Sequence, residues 1–168
     1  MNVCTFTKVV GSNCQLMHDG STECGMAFPR YLHTATRLDD GKVLIVGGTN
    51  AGGATVASAE IFNPTTGAFQ TTASLATSRY GHTATLLSNG LVLVAGGATP
   101  SPGGGNQTYL GTAELYNPAA GSFSATMPMQ TTRYLHSATL LPNGEVLVAG
   151  YPSRQGAFFT SVCSTLRR

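Results

Sequence analysis

An all-β fold of repeated four-stranded blades follows from three features of the sequence: one stretch that occurs three times, a spacing between copies near fifty residues, and strands punctuated by glycine. The copies are RYLHTATRLDDGKVLIVGG from Arg30 to Gly48, RYGHTATLLSNGLVLVAGG from Arg79 to Gly97, and RYLHSATLLPNGEVLVAGY from Arg133 to Tyr151. The first matches the middle copy at 12 of 19 positions and the last at 14, so this is a repeat protein. Offsets of 49 residues from His33 to His82 and 54 from His82 to His136 suit a propeller blade and not a helical solenoid.

Each element has its own signal. Residues 1–29 fall outside the repeat; CTFTKVV, Cys4 to Val10, alternates like a strand, and HDGS, His18 to Ser21, is a turn, so the segment is expected to complete a neighbouring blade. Blade 1 covers 30–78. Its first strand, His33 to Leu38, has the two-residue period of a half-buried strand, and Asp39, Asp40 and Gly41 turn the chain. KVLIVGG is a nearly unbroken apolar run, the mark of a strand buried on both faces. Its closing pair, Gly47 and Gly48, allows backbones to approach closely and the chain to leave at an angle closed to residues with a Cβ. VASAEIF is the third strand, Asn63 to Gly67 a turn, and Ala68 to Thr72 the fourth strand.

Blade 2, 79–132, repeats this order: His82 to Leu87, a turn at Ser88, Asn89 and Gly90, Leu91 to Ala95 closed by Gly96 and Gly97, Thr112 to Tyr116, the turn NPAAG, and a fourth strand around Phe123. Its exit loop, ATPSPGGGNQTYLG, is five residues longer than its counterpart. The partial blade 3, 133–168, keeps the repeat as far as Gly150, then departs at Tyr151 and Pro152, with FFTSVCSTL as a last strand.

Composition narrows the function. Charged residues are 10% of the 168 and the net charge is +2, which argues against nucleic acid or an acidic membrane as partner. No apolar run approaches the roughly 18 residues that span a bilayer, and the first residues carry no basic-then-apolar leader. Cys4, Cys14 and Cys24 are spaced by nine-residue gaps and Cys163 stands apart. Those gaps do not fit short zinc knuckles, which leaves disulfides, implying an oxidising compartment, or inert thiols.

His33, His82 and His136 recur at one position per blade, but repeat duplication alone explains that. Each starts an inner strand where an imidazole ties neighbouring backbone groups, and no Asp or Glu recurs beside all three to orient a general acid. Glu60 and Glu114 sit in strands between apolar residues, where a carboxylate needs a partner. Arg30, Arg79 and Arg133 are the repeat-wise cations, so Glu60 and Glu114 are each expected to pair with a blade arginine as a structural clamp. No catalytic residue, metal site or cofactor motif is evident; PGGGN, Pro102 to Asn106, lacks the helix and lysine of a phosphate loop. Asn106, Gln107 and Thr108 form a glycosylation sequon.

R-x-x-H, a double glycine ending an apolar strand, [ST]-A-E-[IL]-[FY]-N-P and an aromatic after the next turn together resemble the kelch repeat, over residues 30 to about 163. The likeness extends to kelch repeats of bacterial extracellular and cell-surface proteins. It implies propeller blades from a domain of six or seven, used as a binding platform. Phe69 and Phe123 stand where that pattern has tryptophan. Carried over by position, the binding face comprises Tyr31, Tyr80, Tyr134, Asn50, Asn106, Gln107 and Tyr109, with a protein or carbohydrate partner expected there, the competing reading being that the tyrosines cap the core beside the pore. Propellers close with four or more blades, so further blades must come from a second copy or from additional sequence. The runner-up readings are a piece of a larger secreted enzyme of the galactose-oxidase type and a structural surface-assembly module. In those oxidases tyrosines, histidines and a Tyr–Cys crosslink hold copper, whereas no cysteine lies in the two complete repeats here.

Overall fold

A computed structural model describes residues 11–16, 22–101, 107–150 and 159–163, and among these every regular element is a strand. β1 (Gly11–Leu16) and β2 (Thr22–Gly25) form a two-stranded antiparallel sheet. The expected strand at 4–10 and turn at 18–21 lie outside the described residues. β3 (Thr34–Arg37), β4 (Val43–Val46), β5 (Ala59–Asn63) and β6 (Ala68–Thr71) make the first four-stranded sheet, each strand antiparallel to the next.

The second sheet repeats this with β7 (Thr83–Leu86), β8 (Val92–Ala95), β11 (Ala113–Asn117) and β12 (Ser122–Thr126). Between β8 and β11, what reads as a plain loop contains a small hairpin, β9 (Ala98–Pro100) with β10 (Gln107–Tyr109). The longer exit segment therefore includes a two-stranded β-ribbon, 98–100 with 107–109. The third sheet has three strands: β13 (Ser137–Leu140), β14 (Val146–Gly150) and β15 (Phe159–Cys163).

Turn chemistry sets these registers. Gly41, Gly90 and Gly144 adopt φ of 83°, 79° and 85°, and each closes the same turn, with Leu38, Leu87 and Leu141 donating their N–H to Lys42, Leu91 and Glu145. At the outer hairpins the side chains of Asn63 and Asn117 accept from Thr65 and Ala119 at 2.9 and 3.0 Å, which explains Asn-Pro at both corners.

The sheets stack through alternate residues of the second strand, since neighbouring side chains point to opposite faces. Leu44 and Val46 meet Val92, Val94 and Tyr116 in one buried cluster, with Leu38, Ala59 and Leu75. Leu93, Ala95, Ala113 and Leu115 meet Val146 and Val148 in a second, with Leu87 and Met129. The apolar run is thus buried on both faces because each face belongs to a different interface. Innermost strands β3, β7 and β13 lie side by side, as do strands ranged about a common axis. Phe69 and Phe123 pack their rings 4.8 Å from Phe62 and Tyr116 on the adjacent strand, so the aromatic slot is filled within the blade.

Candidate functional site

Arg30, Arg79 and Arg133 are buried, and their guanidinium groups organise the end of the array at which they lie. Arg30 Nη1 donates to Gly47 O at 3.0 Å and Ser58 O at 2.6 Å, while Nη2 donates to Ser58 Oγ and, at 2.8 Å, to Glu60 Oε1. Arg79 repeats the pattern on Gly96 O, Thr112 O, Thr112 Oγ1 and Glu114 Oε1, the last at 2.9 Å. Burial lowers both guanidinium pKa values and the paired carboxylate partly offsets it. The other carboxylate oxygen holds the incoming chain: Glu60 Oε2 accepts from Ala27 N at 2.7 Å, and Glu114 Oε2 from Ala76 N at 2.8 Å. In the third sheet the register places Ser161 opposite Val148, where the first two sheets have their glutamates, and Arg133 Nη1 donates to Gly150 O at 2.6 Å.

The double glycines are dictated by what touches them. A Cβ on Gly47 or Gly96 would lie 2.7 Å from Cε1 of His82 or His136 of the next blade. On Gly48 or Gly97 it would lie 2.6 or 2.7 Å from the carbonyl of Tyr31 or Tyr80 in the same blade. Gly48 and Gly97 also donate their N–H to the Arg79 and Arg133 carbonyls at 2.8 Å, tying consecutive blades together.

The histidines are structural in the same sense, and beyond the backbone groups expected their rings also take a partner in another blade. Nε2 of His82 lies 2.9 Å from Thr34 Oγ1, and that of His136 3.0 Å from Thr83 Oγ1, so each ring reaches back to a hydroxyl of the preceding blade. Burial first, then the charge of Arg79 and the other histidines, pushes His82 down to about 3. Burial and Arg133 push His136 down to about 4. Both are neutral imidazoles whose outer nitrogen is engaged.

Tyr31 and Tyr80 follow their arginines and pair backbone-to-backbone with Thr49 and Ala98, just beyond the glycines. This brings the two entry connections and the glycine exits to one end of the array. There Tyr80 and Tyr134 meet edge to face at 5.4 Å, and Tyr109 from the β9–β10 hairpin approaches Tyr134 at 5.7 Å. Burial and the neighbouring phenols raise the pKa of Tyr80 and Tyr134, which keeps both hydroxyls protonated. Gln107 is exposed on the same hairpin. Asn50 is turned to its own loop, its Oδ1 accepting from Gly52 N and Ala54 N at 3.0 and 2.9 Å. Asn106 lies outside the described residues.

Sequence reasoning passed over the residue between Tyr and His. Leu32 and Leu135 sit there with φ of 55° and 51°, a region that costs a leucine roughly 1–2 kcal/mol. Their side chains are exposed beside the tyrosines, at 43% and 63%. Gly81 holds the middle position, where a Cβ would strike the Tyr134 ring. The three backbones form a ladder across the blades, Gly81 N to Leu32 O at 3.2 Å and Leu135 N to Gly81 O at 2.9 Å. The signal was the glycine that breaks an otherwise repeated Leu.

These donors do not fit a copper site. Among the described residues no three His, Cys, Asp or Glu side chains come together, and the two imidazoles placed between blades are already bonded to threonines.

Against known proteins, residues 29–76 match the family model described as the kelch motif. Comparison with curated proteins gives no match. Among solved structures, the chain is similar to a fungal alcohol oxidase of the AA5 family, described as catalytically diverse and solved in complex with copper, with a TM-score of 0.62 and 25% identity over 73% of this chain and 27% of that one. The chain therefore spans about a quarter of that protein's length. With a kelch motif in its first repeat and the same four-stranded sheet built again from the second, this protein is an open array of kelch-type propeller blades.

Proposed function

We propose that the array is a non-catalytic binding module whose tyrosine-bearing end holds a protein or carbohydrate partner. The observation that carries this reading is the convergence of Tyr80, Tyr109 and Tyr134, with exposed Tyr31, Leu32 and Leu135 alongside, on a scaffold of buried arginine clamps. Two of these residues are leucines whose strained backbones carry the ladder across the blades while their side chains are turned to solvent. Rigid aromatic and aliphatic groups on a fixed frame bind with little loss of conformational freedom. Further blades, from a second copy or from additional sequence, complete the surround, and an extracellular or cell-surface setting belongs to the same reading.

The chain has six tyrosines and no tryptophan, and Tyr31, Tyr80, Tyr109 and Tyr134 lie at this end, so changes in tyrosine emission report on it. Titration with a panel of oligosaccharides and of apolar peptides is expected to give saturable quenching with one class. Tyr134→Ala is expected to weaken that binding about 30-fold, as for a central aromatic anchor. Leu135→Gly, which relieves the strained backbone, should weaken it without lowering the thermal transition. Absence of saturable binding across both panels sinks the reading.

The likeness to the copper-bound alcohol oxidase favours a second reading, in which the array is part of a larger secreted enzyme of galactose-oxidase type whose active site lies elsewhere. Copper-dependent alcohol oxidation by a longer protein containing this array would establish it.

A further inference from the structure

The two internal interfaces of the array define what a blade presents to its neighbours. On the first strand, Ala84 and Leu86 face backward into the first cluster, and Ala138 and Leu140 face backward into the second. On the second strand, Leu44 faces forward into the first cluster and Leu93 forward into the second, against which Leu91, the residue after the turn glycine, also packs, as do Leu140 and Ala138. The hydroxyls of Thr34 and Thr83 also face forward, each taking the next histidine.

By the same positions, the forward face of the third sheet presents Ser137, Leu147, Ala149 and Glu145. The backward face of the first presents His33, Ala35 and Arg37. Each face carries a charged residue where an internal interface has leucine. Arg37 stands where the internal interfaces have Leu86 or Leu140, and Glu145 stands where the second has Leu91. Superposed on that interface, Glu145 takes the place of Leu91 and Arg37 that of Leu140, both at the rim of the same buried cluster. Ser137 at present donates to Ala149 O within its own sheet, and Leu135 O has no following N–H among the described residues. Hairpin β1–β2 lies beside the outermost strand, β6.

We propose that the forward face of the third sheet receives the backward face of the first sheet of a second copy. Two copies thereby close head to tail into a six-bladed ring with two identical joints, each carrying a Glu145–Arg37 pair and a Ser137–His33 pair. It rests on the reading that further blades flank the array, and it selects their source. Continuity with the two internal interfaces and the complementary charges on the open faces carry it.

Light scattering on the whole chain tests it independently of any ligand. The expected mass is twice 17.3 kDa at micromolar concentration. Arg37→Glu and Glu145→Arg, each alone, are expected to weaken self-association at least about 10-fold, since each joint then faces like charges. The double variant restores it, and so does mixing the two single variants, because one joint is then native and the other reversed. Raised salt weakens the native assembly. Circular dichroism confirms folding, and Arg37→Gln with Glu145→Gln replace any variant that fails it. The proposal is overturned by a chain that stays monomeric, by open-ended growth, by a charge reversal that leaves the mass doubled, or by failure of the mixed variants to reassociate.

Discussion

At the scale of single residues, the array is held by polar side chains placed where apolar packing alone would serve. Arg79 spans two strands and the entry connection, and Glu114 answers it from within the same blade. His82 spans two blades, and its ring is uncharged because burial outweighs the gain from protonation. This gives the fold a defined pH response. In the unfolded chain the histidines titrate near 6.5, whereas in the array His82 and His136 titrate near 3 and 4. The folded state therefore binds fewer protons between these values, so stability is full above pH 6.5 and declines as pH falls toward the folded values. By pH 4.5 each histidine is expected to cost roughly 2 kcal/mol. Urea unfolding followed from pH 7.5 to 4.5 checks this, and a transition unchanged over that range contradicts it.

At the scale of elements, each hairpin is a strand pair whose glycines act in two different ways, and substitution separates them. Gly41 has φ of 83° and open space around its missing Cβ, so Gly41→Ala is expected to cost only the backbone term, about 1 kcal/mol. Gly97 has φ of 96° with Tyr80 O at 2.7 Å and His82 Cβ at 3.0 Å from that position, so Gly97→Ala is expected to cost about 3 kcal/mol or more. Equal midpoints in urea for the two variants would show that close approach is not what selects the second glycine.

The same contrast explains what was legible beforehand. The strands and their turns could be read because one hairpin was written three times, and the arginine–glutamate pairs because a buried carboxylate must find a cation. The histidine–threonine pairs were not legible, since they join blades 48 and 53 residues apart and leave no periodic trace within one strand. Nor was the β9–β10 ribbon, whose three-residue strands flank a proline- and glycine-rich stretch that reads as loop. Asn50 reads as a free amide because its chemistry is that of recognition, yet a short loop turns it inward on its own N–H groups.

At the scale of the whole molecule, stability is a sum over blades and the joints between them, as in other quasi-one-dimensional arrays. The middle sheet is covered on both faces, with Val92 and Val94 in one cluster and Leu93 and Ala95 in the other. The first and third sheets each have one internal joint. Opening an end blade of a lone chain breaks a single joint, whereas opening the middle blade breaks two. Amide hydrogen exchange on dilute chain is therefore expected to protect β8 and β11 by the full unfolding free energy and β3 and β13 by about 2 kcal/mol less. If the ends are joined to a second copy, every blade acquires two joints, and the gradient across β3, β8 and β13 must flatten as concentration rises. A gradient that persists under conditions where light scattering reports a doubled mass would mean that the copies meet by some surface other than their inner strands.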